Sequence, residues 1–376
     1  AWLRVLLGVL LIAVALPGSA ARAESLADAL VAAYRHSNLL DQNRALLRAS
    51  DEDVVQAQAR LLPVVNFVSR FLSTSSGAPD YRLSFAVTID FPMVDFGRGE
   101  MAVDLAREQV LSARAGLIVV EQRVLLGAVA SYLSLNTARE TLALRRSNVA
   151  LIEEQLRAAR ERFELGDSTR TDVAIAEARL ASAQSALAAA EGDVAVAREE
   201  FRLAVGRYPN GTLQAPPRLP RLPATLEQAQ APARTHHPPT LQPQHQAAAA
   251  EIASRLARPE RRGGMSGQIS LETRRQSAGG LGVSTSDITA SLGYSVPLYA
   301  GGRLNSLERQ SIARHEAQRA ALHQTVAQVN QAVASAWAQM AVARARLEAS
   351  ALQIEAAEAA FAAVSAEAEF GTRTMC

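Results

Sequence analysis

An 11-residue pattern occurs twice, 205 positions apart: Arg82–Pro92 reads RLSFAVTIDFP and Asp287–Pro297 reads DITASLGYSVP. Both copies end in an apolar residue followed by proline, Gly97-Arg98 is matched by Gly302-Arg303, and the same offset carries Gly166 onto Gly371. Leu26–Leu30 echoes Leu226–Gln230 at a slightly different offset. The chain is a tandem duplication, so whatever one half folds into the other must repeat.

Each copy carries a period-two alternation. Leu83, Phe85, Val87, Ile89 and Phe91 alternate with Arg82, Ser84, Ala86, Thr88 and Asp90; Ile288, Ala290, Leu292, Tyr294 and Val296 alternate with Asp287, Thr289, Ser291, Gly293 and Ser295. Such a strand has one apolar and one polar face, which suits either a half-buried soluble sheet or a membrane strand between lipid and a wet lumen. Val65, Phe67 and Phe71 mark an upstream partner joined by the turn-rich Ser73–Asp80, and a weaker one lies around Ile269 and Leu271. That predicts two hairpins, four strands per chain, with the first pair at about 64–92. Four strands cannot close a barrel, since single-chain barrels begin at about eight. An open edge in lipid leaves backbone groups unpaired, so membrane placement requires several chains to pool their strands.

Long helices follow each strand pair. No proline occurs between Pro92 and Pro209, or after Pro297. Helix is expected over about 97–205, and a continuous rod from Arg98 to Leu165 would reach about 100 Å. The stripe Val173, Ala176, Leu180, Ala183, Leu187, Ala190, Val194, Ala197, Phe201, Ala204 keeps three-four spacing and alternates large with small residues. Leu135, Ala138, Leu142, Val149, Ile152, Leu156, Ala159 and Phe163 face it, and Met340, Ala343, Leu347, Ile354, Ala357, Phe361 and Val364 form the repeat's copy. Gly166-Asp167-Ser168 interrupts the first run, so the pattern reads as an antiparallel coiled-coil hairpin with its tip there.

Arg4, the apolar Val5–Leu16 and Ala21-Arg22-Ala23 form a secretory signal, residues 1–23, with the mature chain starting at Glu24. Its apolar core is too short to span about 30 Å of hydrocarbon as a helix, and no other 18-residue apolar run is expected. The organisation is then a first repeat at 24–207, a Pro-rich linker at 208–224 and a second repeat at 225–376. The second half stops in mid-hairpin and Ala1 is not methionine, which reads as a partial translation. The only cysteine is Cys376, so a disulfide framework is excluded and a lipid-anchored amino terminus is not expected.

Net charge is +2, and the basicity comes from arginine alone because the chain has no lysine. These arginines are interleaved with acids along helices, which excludes a nucleic-acid footprint. His36, His236-His237, His245, His315 and His323 read as solvated residues near helix starts rather than metal ligands. No nucleophile elbow, phosphate loop or zinc spacing is present, so neither an enzyme nor a cofactor is expected.

In their order, duplication and spacing, the strands ending in Phe91-Pro92 and Val296-Pro297, the tip Arg162–Gly166 with Thr171-Asp172-Val173, and Gly371-Thr372-Arg373-Thr374 resemble the TolC family of outer-membrane channels. The resemblance covers the whole mature chain. It implies an α+β membrane protein: a tandem-duplicated unit of two membrane strands plus a long helical hairpin, assembled as a homotrimer. The pooled strands would form a 12-strand barrel in outer-membrane lipid, continued by a periplasmic α-helical barrel. It also implies a passive exit for cargo of type I secretion or multidrug efflux. An inner-membrane ABC or proton-driven pump would deliver that cargo through a periplasmic adaptor. The Gly-Thr-Arg-Thr tip is more similar to type I secretion members.

The implied lipid face is Leu83, Phe85, Val87, Ile89, Phe91, Ile288, Leu292, Tyr294 and Val296. The implied periplasmic entrance is Gly166, Thr171, Asp172, Gly371, Thr372, Arg373 and Thr374, with an Asp172–Arg373 ion pair. Asp172 could equally cap the helix that begins beside it. Ala368 replaces an aromatic residue common in the family, and the family's entrance acids would lie beyond Cys376. A periplasmic adaptor with one coiled-coil hairpin between soluble β-domains is the rival reading. A coiled-coil filament is a third, but it has no use for the alternating strands.

Overall fold

The computed structural model describes residues 23–74, 80–217, 222–258, 262–278 and 281–369. In chain order the elements are α1 (Leu26–His36), α2 (Asn38–Ala59), β1 (Val64–Thr74), β2 (Asp80–Val94), α3 (Arg98–Glu164), α4 (Arg170–Val205), α5 (Leu226–His236), α6 (Pro238–Leu256), β3 (Gly264–Ala278), β4 (Leu281–Ser295) and α7 (Arg303–Glu369). The duplication is visible in lengths: α3 and α7 each have 67 residues, and α1 and α5 each have 11. The chain contacts divide into two compact units, one of residues up to Ala45 with Leu117–Pro220, the other of Leu46–Gly116 with Arg221 onward.

In the first unit α3 and α4 form an antiparallel hairpin. The alternating stripe explains its closeness: Ala183, Ala190 and Ala197 are buried and let the backbones approach, while Val149 and Leu156 fill the spaces from α3. The root of the hairpin packs against α1 through Ala29, Ala33, Ala128, Tyr132, Leu135, Ala197, Phe201 and Val205. Tyr132 and Phe201 are fully buried there with ring centroids 6.5 Å apart.

The start of the described chain ties down the inter-repeat linker. Glu24 N donates to Thr212 O and Gln214 N donates to Glu24 O, both at 2.9 Å, forming a parallel bridge. The Tyr132 hydroxyl donates toward Glu24 O at 2.9 Å and Gln214 O at 2.7 Å. The buried Glu24 carboxylate accepts from Arg207 Nη2 at 2.6 Å and from Asn210 N at 2.7 Å.

In the second unit the strands form one four-stranded antiparallel sheet in the order β1-β2-β3-β4. The β2–β3 pairing joins the repeats, with a bulge between Pro92 and Val94. On the helical side, α6 and α5 pack along α7, and Ala57, Val103 and Ala106 make a small core between α2 and the start of α3. Farther along α7, Leu347, Ile354 and Phe361 are exposed, at 71%, 59% and 71%. No described helix covers that stripe, whereas its copy on α3 is covered by α4.

Two readings of the sequence change. An 18-residue stretch of α3 is long and apolar enough to cross a membrane by length and composition, where no such run was expected. Only 17% of that stretch is buried, so packing against α1 and α4 in the first unit accounts for residues such as Ala128 and Tyr132 but not for the exposed Ile118 and Leu126. His36 and His236 close their helices rather than start them, and His36 Nδ1 contacts Ala32 O at 2.9 Å within the last turn.

Candidate functional site

The sheet offers two unlike faces. Cross-strand partners share a face, and Val65↔Ile89, Phe67↔Val87, Phe71↔Leu83, Ile89↔Ile269, Val87↔Leu271 and Leu271↔Ile288 lie opposite one another. Leu83, Phe85, Val87, Ile89 and Phe91 therefore stand on one face with Ile288, Leu292 and Tyr294, joined by Met265, Ile269 and Leu271. Phe67 stacks on Phe85 and Phe71 on Tyr81, with centroids 6.3 and 6.1 Å apart. From Leu83 to Phe91 the apolar band runs about 26 Å along the strand, close to the height of a membrane band.

Large residues of this face stay uncovered: Phe67 is 69% and Ile288 78% exposed. Val296 falls outside the sheet. β3 begins at Gly264, opposite Ser295, so Val296 has no residue left to pair with. Its repeat counterpart Phe91 remains in the sheet because β2 pairs with β3 as far as Val94.

The opposite face is polar and internally bonded. Gln268 Nε2 donates to Asp90 Oδ1 at 2.7 Å and Asn66 Nδ2 to Asp90 Oδ2 at 3.3 Å. Arg82 Nη2 donates to Gln276 Oε1 at 3.3 Å, and Arg274 Nη2 meets Glu272 Oε1 at 3.1 Å. The flanks of this network were hard to see in the sequence, since Met265, Ile269 and Leu271 on β3 are interrupted by Gly267, Thr273 and Arg275. Only the register set by β2 assigns each β3 residue a face.

At the far end of the hairpin, Gly166 adopts φ 84° and closes α3. Gly166 N donates to Phe163 O at 3.1 Å and Asp167 N to Arg162 O at 2.8 Å, the paired bonds of a Schellman ending. α4 then starts in a capping box. Asp172 Oδ2 accepts from Thr169 N at 2.9 Å, Thr169 Oγ1 at 2.7 Å and Ser168 Oγ at 3.2 Å. These donors, the Thr169 backbone first, hold the Asp172 carboxyl below its ordinary value. Thr171 is exposed in the first turn beside it.

Gly371, Thr372, Arg373 and Thr374, and so the expected Asp172–Arg373 pair, lie outside the described residues, as do residues 1–22 of the signal segment. Among the described residues no group of three or more His, Cys, Asp or Glu is placed to hold a metal.

A family model described as "Outer membrane efflux protein" matches residues 29–207 and 233–376. The outer membrane efflux protein BepC of Brucella suis is 34% identical over 372 residues, covering 97% of this chain and 80% of its own. Protein CyaE of Bordetella pertussis is 29% identical over 349 residues, covering 89% and 73%. Among solved structures, the outer membrane protein VceC of Vibrio cholerae superposes with a TM-score of 0.75 at 16% identity, over 93% of this chain and 87% of that one. The MtrE outer membrane channel of Neisseria gonorrhoeae gives 0.75 at 19% identity, over 92% and 80%. These structural likenesses show a shared fold.

Proposed function

The chain belongs to the outer membrane efflux protein family, and on that premise we propose that it is one of three subunits of a channel-tunnel, giving passive exit to cargo delivered by an inner-membrane pump. Members are channels of the outer membrane and not enzymes, and the helices form the periplasmic extension. The observation that carries the reading is the uncovered four-stranded sheet, whose outer strands β1 and β4 pair on one side only. In lipid those unpaired edges cost several kcal/mol per backbone group. β4 of one copy meeting β1 of the next preserves antiparallel order, and the ring closes without an edge.

Three copies give 12 strands at four per chain. The apolar face then meets lipid and the Asp90, Arg82 and Glu272 face lines the lumen. The tip residues Gly166, Thr171 and Asp172, with Gly371–Thr374, form the entrance, where a periplasmic adaptor docks and Arg373 pairs with Asp172. Cargo arrives from an ABC exporter in type I secretion or from a proton-driven drug pump. The adaptor reading loses its support, because an adaptor has one hairpin between soluble β-domains and this chain has two strand-bearing repeats in one sheet. The test is a planar lipid bilayer: the purified protein should open discrete conductance steps, and a preparation that binds the bilayer without conducting would refute the channel.

A further inference from the structure

Charges on the polar face of the sheet are sorted by height. Arg70, Ser84, Arg274 and Thr285 share one rung, and Arg82 with Gln276 stands on the next rung toward the hairpin turns. On the first rung in the other direction are Val68, Ala86, Glu272 and Asp287, with the two acids directly opposite each other. Asp90 lies two rungs lower again. Same-face rungs are about 7 Å apart, so a basic tier sits immediately outside an acidic one.

The tier is cancelled only in part by the acids below it. Arg274 is paired with Glu272 at 3.1 Å, whereas Arg82 Nη2 donates to the neutral amide of Gln276 at 3.3 Å. Arg70 and Arg82 are both exposed on that face. A guanidinium fork binds phosphate-type anions by paired charge-assisted bonds. Rings of arginine are how pores attract anions.

We propose that Arg70, Arg82 and Arg274 make the turn end of the lumen an anion-binding mouth that takes polyvalent phosphate-type anions from the outside. This rests on the pooled barrel, in which each copy contributes its tier to one ring. Acidic cargo then leaves through an attractive last tier, and external cations are repelled from it.

The probe is inorganic tripolyphosphate acting on the full chain in a planar bilayer at low salt. Tripolyphosphate added on the turn side should block the current, and rising salt should relieve the block. The double variant R70Q/R82Q should need about tenfold more anion, and R70K/R82K should keep most of the block, separating charge from fold. Conducting channels that tripolyphosphate does not block, or blocks equally in R70Q/R82Q, or blocks only from the helical side, would overturn the mouth while leaving the channel intact. A native chain that forms no channel at all overturns the barrel reading, and the mouth with it.

Discussion

Phe96 and Gly301 share a backbone φ of 57°, and each is followed by a glycine, Gly97 at 80° and Gly302 at 81°. The strand-to-helix corner is thus duplicated as conformation and not only as sequence. A side chain in this left-handed region costs about 1–2 kcal/mol. In the first repeat the corner also holds the Arg262 guanidinium over the Phe96 ring, 6.0 Å from its centroid.

Gly301→Ala should therefore destabilise by about 1 kcal/mol through backbone strain alone. A Cβ there meets open space, as it does at Gly282, whose φ is not positive, so Gly282→Ala should be nearly neutral. Thermal melting of the detergent-solubilised protein compares the two.

The two faces of β2 should respond oppositely to charge. Val87→Arg places a guanidinium on the apolar face and should cost about 2–4 kcal/mol in the membrane, whereas Thr88→Arg, on the polar face, should be tolerated. The fraction of each variant recovered in outer-membrane pellets measures the difference. Equal recovery would mean that the apolar face does not meet lipid.

Arg207 is the charged partner of the Glu24 carboxylate, whose side chain is 2% exposed. Arg207→Ala leaves that carboxylate buried with only the Asn210 backbone donor, an expected loss of about 3–5 kcal/mol. Tyr132→Phe removes the hydroxyl serving Glu24 O and Gln214 O and should cost about 1–2 kcal/mol. Both should expose the linker after Tyr208, read out as faster proteolytic cleavage there.

The capping carboxylate Asp172 gives the tip a pH dependence of known sign. Its folded-state pKa is depressed, so its contribution is present above the unfolded value and is lost as pH falls through the folded one. The first turn of α4 should fray in acid, and Asp172→Asn should remove that dependence. Amide exchange at Val173 and Ala174, corrected for its intrinsic pH dependence, follows it.

The sequence made the fold legible where one rule acted alone. Strict three-four spacing located the α3–α4 seam, and clean alternation located β2 and β4. It was less informative where features compete. On β3, Gly267 and Arg275 break the alternation, so register with β2 decides the faces. The Glu24 latch carries no local motif, because its partners Tyr132, Arg207, Asn210 and Thr212 come together only when the linker folds back on the hairpin root. The charge tiers were invisible for the same reason: Arg70, Arg82 and Arg274 align only across strands.

The central claim is that β1 and β4 find their missing partners on other copies of the chain. Its most direct test is the protein mass of the outer-membrane product in detergent, with bound detergent subtracted. The account predicts the mass of three chains, closing 12 strands at four per chain. A monomer, or a product recovered from the soluble periplasm, would contradict it.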